Sequence, residues 1–303
     1  MSIESPETAT TAEPRVHVER KGFESETYDV MQGAARWEVK VHDHGLVAMV
    51  DVMPRLVPVG KTADSAIVQA ARVSYGEGTK QVNEDRGLIR YLARHRHTTP
   101  FEMVEFKFHH VMPIFVARQW IRHRTANVNE YSARYSVVRD RFFKPELENV
   151  RRQSTSNRQG GTEPADEATA QDFLNYLDEV QQSYAKYQDF IERGVAREIA
   201  RIALPASVYT EWYWKIDLHN LLHFLSLRME AHAQQEIRDY ANAMFELIRP
   251  IVPVAAEAFL DYNFGAMHLT RLEVEALRSG QPLATENKRE VAEWEEKRKR
   301  LGM

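Results

Sequence analysis

Between Arg118 and Arg141 the chain sets six arginines against two acids, Glu130 and Asp140. The densest part is RHRTANVNEYSARY, Arg122 to Tyr135, where Arg122, His123, Arg124 and Arg134 stand among Asn129, Glu130, Tyr131, Ser132 and Ala133. A guanidinium presents a rigid fork of donors that matches phosphate and planar carbonyl groups. Asn129, Tyr131 and Ser132 add polar groups that can be oriented. The stretch follows neither a 3.6- nor a 2.0-residue period, so it reads as a functional anion-binding loop rather than a solvated helix face. A surface basic patch or a salt-bridge strip between subunits would use the same residues. A single nucleic-acid strand would also engage them, stacking on Tyr131, Tyr135 and Phe142. Against that stand a net charge of -4 and the absence of an RNP, KH or zinc-finger signature.

Other candidates are sparser. His219 and His223 in HNLLH have the i, i+4 spacing of zinc ligands, but the Glu of H-E-x-x-H is missing, so two ordinary histidines are the better reading and no metal is expected. HRHTTPFE, His95 to Glu102, precedes a strand-like run. Arg201 and Arg228 lie in apolar helical contexts, either snorkelling to water or reaching a paired anion. No Gly-x-Gly-x-x-Gly, no Walker loop and no Gly-x-Ser-x-Gly occurs, so Ser132 has no elbow to expose it as a nucleophile. With no cysteine, a thiolate nucleophile, a disulfide scaffold and Cys-ligated metal are all excluded.

The elements that must position these residues can be read from periodicity. WEVKV alternates and GLVAMVDVM is a β-branched run, giving two strands that turn at HDHG. TADSAIVQAARVSY is helical, with Thr62 or Asp64 as N-cap, and QVNEDRGLIRYLARHRH is a second helix burying Leu88, Ile89 and Leu92. FEMVEFKFHHV alternates as a half-buried strand, and Pro113 suits the first turn of the helix PIFVARQWIRHR. Residues 151–168 read as a loop insertion. A long helix is expected from Ala170 to Arg193, stopped by Gly194, and another over VAREIARIALP. SVYTEWYWKI is a strand, and the stretch from Asp217, its N-cap by residue type, to Ile248 is one helix or two.

The 303 residues, 43% hydrophobic and 28% charged, suffice for a sizeable core. Residues 1–35 read as a disordered tail, 36–265 as one α/β (α+β) domain, and 266–303 as a charged helical extension. No run approaches the ~18 apolar residues of a membrane span, and the N-terminus lacks a secretory pattern. A cytoplasmic protein is expected.

Taken together the motifs resemble the flavin-dependent thymidylate synthases. That family's signature, Arg-His-Arg, seven residues, then Ser, is met by Arg122-His123-Arg124, TANVNEY and Ser132, continuing to Arg134 and Tyr135. HTTPFE, FVARQW, AREIAR, LPxxxYT and LxLRxxxHAQxEI match in order. Asn127 stands where Ser is common, and the loop after Arg151 is longer than in compact members. The resemblance implies a non-Rossmann, homotetrameric fold with a mixed sheet core flanked by long helices, and active sites shared between chains. It implies methylation of dUMP to dTMP with FAD, NADPH as reductant and 5,10-methylenetetrahydrofolate as one-carbon donor, and no nucleic-acid or membrane partner. For dUMP it implies Gln119, Trp120, Ile121, Arg122, Glu130, Tyr131, Ser132, Ala133, Arg134, Arg201 and Arg228, with Arg228 stabilising the N3-deprotonated uracil. For FAD it implies His97, Thr99, Arg122, His123, Arg124, Glu130, Asp217, Leu218, His219 and His223, which gives HNLLH a role without metal.

Overall fold

The computed structural model describes residues 37–55, 57, 61–73, 85–154 and 160–303. The expected N-terminal tail, the end of the first helical stretch, the start of the second and the centre of the Arg151–Glu167 loop lie outside them. Strands β1 (Trp37–Val41) and β2 (Gly45–Met53) form the expected hairpin. Gly45 is required there, because a Cβ would meet the Tyr240 hydroxyl and the Val41 carbonyl. β3 (Glu105–Pro113), β4 (Asn127–Glu130) and β7 (Tyr209–Asp217) complete a five-stranded sheet in the order β1-β2-β3-β7-β4. The mix of helix and strand is as expected, but every pairing in this sheet is antiparallel.

Alternation decides the two faces. Phe106, Phe108, Trp212, Trp214 and Ile216 point into the core, each burial contributing about 2–3 kcal/mol. Glu105, Lys107, His109, Tyr213 and Lys215 are on the other face, where Lys215 bonds Glu105 at 2.8 Å and His109 stacks on Tyr213 at 5.0 Å. The inward face is covered by α1 (Asp64–Val73), α2 (Asp85–Arg94), α3 (Ile114–Trp120), α7 (Leu218–Arg228), α8 (Gln235–Ile248) and α9 (Pro253–Phe259). The expected face of α2, Leu88, Ile89 and Leu92, is the buried one.

Several expectations shift. The Asp64 carboxylate caps α9 instead of its own helix, accepting N–H bonds from Val254 at 2.8 Å and Ala255 at 3.1 Å. Pro113 is extended and ends β3, so α3 starts one residue later. The segment read as a functional loop forms, in part, the edge strand β4. The loop insertion carries a ribbon, β5 (Arg151–Gln153) against β6 (Gly161–Pro164). The helix expected over 170–193 is two, α4 (Glu167–Gln181) and α5 (Ser183–Glu192), meeting at Gln182, with no breaker residue to mark the joint. Gly194 ends α5 at φ +90°. VAREIARIALP yields only α6 (Arg197–Ala200) and a 3-10 turn. α7 and α8 separate where Glu230 captures the His232 N–H at 2.7 Å. In the extension, α10 (Arg271–Ser279) and α11 (Lys288–Arg300) are joined by Lys297 bonding Glu273 at 2.8 Å, and Trp294 is only 4% exposed. No helix of the described residues is long and apolar enough to cross a membrane.

Candidate functional site

Two helix ends and a turn enclose a cavity of about 570 Å³. α2 closes in a left-handed cap: the His97 N–H bonds the Leu92 carbonyl at 2.9 Å, the Arg96 N–H bonds the Ala93 carbonyl at 3.2 Å, and Arg96 sits at φ 59°. Glycine is usual at that position, and a side chain there costs about 1 kcal/mol. Opposite, Asp217 caps α7 by accepting from the Asn220 N–H at 2.9 Å, as its residue type suggested. His219 and His223, one turn apart on α7, line the cavity with His97. The third wall is α9 and the π-helical turn Leu260–Phe264, a distortion common at functional sites. Its floor is apolar, with Leu92, Phe101, Leu222 and Phe259, and its rim is polar. Among the described residues no group of three His, Cys, Asp or Glu is placed to hold a metal ion.

Beside the cavity, α7 ends in Arg228, whose Nε donates to His123 Nε2 at 3.0 Å. Arginine can only donate, so Nε2 carries the lone pair and the neutral ring keeps its proton on Nδ1. The His123 N–H bonds the Trp120 carbonyl, and its ring stands edge-on to Phe224 at 4.7 Å. Burial, then the charge of Arg228 and the nearby His223, hold the His123 pKa down at about 4. Burial also lowers that of Arg228, which still keeps its proton at neutral pH. Among the described residues the rest of the Arg228 fork has no partner.

The arginine-rich stretch runs outward from there. Arg122 and Arg124 are exposed, and among the described residues neither has an ion-pair partner. β4 is tied to β7, with Glu130 accepting from the Thr210 hydroxyl at 2.7 Å. The Tyr131 N–H bonds the Glu211 carbonyl, and its hydroxyl donates to the Val137 carbonyl at 2.6 Å. The Ser132 carbonyl caps the following turn through the N–H groups of Tyr135 and Ser136. Ala133 packs on a second small core formed by Val138, Phe142, Tyr184, Tyr187 and Val208. Arg134 pairs with Glu198 at 3.0 Å, and Arg197 donates to the Tyr135 carbonyl at 2.8 Å. α6 thereby leans on this turn and leaves Arg201, just beyond it, without a partner among the described residues. Gln119 donates to Gln234.

The residues singled out from the sequence thus fall into two groups within one chain, the cavity with Arg228 and His123, and the turn Ser132–Arg134 with Arg201. The side chains of Trp120 and Leu218 belong to neither. Trp120 and Leu218 are 0% exposed, and the indole packs among His110, Trp212, Trp214 and Phe224. Their side chains are core, and only their backbones remain for a ligand. Thr98 lines the cavity where Thr99 was expected. The wall from Asp261 to His268 went unread in the sequence, because no local pattern announces a π-helical turn.

The chain is similar to known proteins in family, sequence and fold. The family model "Thymidylate synthase complementing protein" matches residues 55–254. A flavin-dependent thymidylate synthase of Dictyostelium discoideum is 68% identical over 287 residues, covering 95% of this chain and 95% of its own. One from Wolbachia pipientis wMel is 54% identical, covering 80% of this chain and 82% of its own. Among solved structures, a UMP/dUMP methylase PolB from Streptomyces cacaoi bound with 5-Br UMP superposes with a TM-score of 0.65 at 32% identity, over 75% of this chain and 98% of its own.

Proposed function

We infer how the residues above divide one reaction between them, for this chain belongs to the family of flavin-dependent thymidylate synthases. The enzyme methylates dUMP to dTMP with 5,10-methylenetetrahydrofolate as one-carbon donor, FAD as cofactor and NADPH as reductant. When bound, FAD supplies the hydride that brings the transferred carbon to the methyl level.

The residues suit that cofactor. A cavity of about 570 Å³ with an apolar floor is of a size to take a flat ring system. His97, His219 and His223 offer hydrogen bonds at its edge, and Arg122 and Arg124 offer exposed guanidinium groups for a diphosphate. In our assignment Asp217, through its cap, sets the start of α7 and so the two α7 histidines.

The observation that carries the mechanism is the Arg228–His123 bond. It uses one nitrogen of the guanidinium and, among the described residues, leaves the remaining donors free. Facing the uracil, those donors stabilise negative charge at N3 and O2, which makes C5 electron-rich without a thiolate. The sequence has no cysteine for the alternative route. Neutral His123 keeps Arg228 oriented by accepting its Nε proton. Ser132 and Ala133 present backbone N–H groups to the nucleotide phosphate, Arg134 exchanges Glu198 for that phosphate, and Arg201 and Gln119 complete the cradle. Ile121, Arg122, Glu130 and Tyr131 border the nucleotide.

Because the turn Ser132–Arg134 and Arg201 do not line the cavity, we place each active site between chains of a homotetramer, with the open sheet face, where Tyr213 is 46% exposed, as a contact surface. We assign the enzyme to the cytoplasm. The test is the visible spectrum of the purified protein under anaerobic NADPH, with and without dUMP, followed by dTMP formation with methylenetetrahydrofolate and UMP as control substrate. Flavin bands that bleach with NADPH at a rate altered by dUMP, followed by folate-dependent dTMP, are expected. A protein that stays colourless with added FAD would end this reading.

A further inference from the structure

The cavity has more cations at its mouth than the flavin assignment uses. Arg94 and Arg96 line it from the end of α2, and both are exposed. Among the described residues neither has an ion-pair partner, whereas the one acid in the wall, Asp261, is bonded by Arg90 at 2.7 Å. His268, just beyond the π-helical turn, also lines the cavity and is exposed. Arg94 also lies over the Tyr262 ring at 5.9 Å, which holds it toward that wall.

Arg96 is the unusual one. It occupies the left-handed cap position, where glycine would relax the backbone, and it lies at a cavity rim. Non-glycine residues held in that region concentrate at ligand sites. The flavin diphosphate already has Arg122 and Arg124. A second ligand must reach the same cavity, because the folate ring has to meet the flavin for the one-carbon unit to be reduced. Its ring end enters the apolar floor, and its carboxylates leave through the mouth.

We propose that Arg94 and Arg96, with His268 of the same cavity, form a subsite for the glutamyl carboxylates of the folate co-substrate. The subsite rests on the reaction stated above. It predicts a preference for folates with more than one glutamate, since each added carboxylate meets these exposed cations, and a loss of that preference at high salt.

The test uses the full-length, FAD-loaded enzyme and the variants Arg94→Ala, Arg96→Gly and Arg96→Lys. KM is measured for monoglutamyl and triglutamyl methylenetetrahydrofolate and for NADPH and NADH. Binding of triglutamyl tetrahydrofolate is measured separately by calorimetry. Arg94→Ala and Arg96→Gly should weaken triglutamate binding and raise its KM about three- to tenfold. The monoglutamate should respond less, with kcat and the KM for NADPH unchanged. Arg96→Lys should retain most of the preference. Arg96→Gly should melt no lower than the wild type, since glycine suits that backbone, so its loss of binding cannot be put down to unfolding. Equal responses to the two folates, or none, would overturn the subsite. A KM that rises for NADPH and not for NADH would assign the cations to the reductant's phosphate instead. A wild type that makes no dTMP from either folate would overturn the proposed reaction and not the binding result.

Discussion

At the residue scale the central unit is the pair His123 and Arg228. Arg228→Ala should lower kcat by about 10²–10³-fold while the flavin spectrum persists, and Arg228→Lys should not restore it, because an ammonium lacks the fork. Near-normal dTMP formation by the alanine variant would remove the activating role. His123→Ala should lose flavin, read as the absorbance that survives gel filtration. Protonation gives a second handle. The pKa of His123 falls to about 4, and burial holds that of His110 well below its usual value. In both cases the unfolded chain takes up a proton that the folded chain refuses. Stability from these residues is therefore intact above pH ~6.5 and declines as pH falls toward 4. His110→Asn should flatten the slope of Tm between pH 6.5 and 5. An unchanged slope would put the acid sensitivity elsewhere.

At the element scale the informative contact is Asp64 with the first turn of α9. Its carboxylate accepts two backbone N–H groups there and the Thr62 hydroxyl at 3.2 Å. Asp64→Ala leaves those donors unmet and should cost about 1–2 kcal/mol in urea unfolding. Burial raises the Asp64 pKa to about 6. Here the sign is reversed: the folded chain holds its proton longer than the unfolded one, so this contribution is full below pH ~3.8 and is lost as pH rises through 6. The deficit of Asp64→Asn relative to wild type should consequently be larger at pH 4 than at pH 7. A constant deficit would mean the carboxyl stays ionised throughout. Because α9 forms a wall of the cavity, the same substitution should loosen flavin binding.

At the scale of the whole molecule the separation of Arg201 from the Arg228 cavity becomes a prediction about assembly. If each site draws the two arginines from different chains, Arg201→Ala and Arg228→Ala subunits expressed together should regain activity that neither has alone. Mixed assemblies would contain some sites with both arginines intact. No recovery in assemblies shown by affinity tags to contain both subunits would mean that one chain supplies both. Dilution below the assembly threshold should lower specific activity in step with loss of the proposed assembly on gel filtration.

Local chemistry settled a good deal of this in advance. The alternation of Phe106 and Phe108 with Lys107 and His109, the apolar face of α2 and the Asp217 cap follow from periods and residue types, which act within a few residues. The Arg-His-Arg signature with Ser132 marked the family for the same reason. Tertiary structure decided what depends on residues far apart in the chain. Asp64 caps a helix 190 residues away, Trp120 and Leu218 turn out to be core beside less buried neighbours, and α4 and α5 break with no breaker between them. The cavity itself joins the end of α2, the start of α7 and the π-helical turn after α9. No sequence window spans those three, so only packing could show that Arg96 and His268 share one rim.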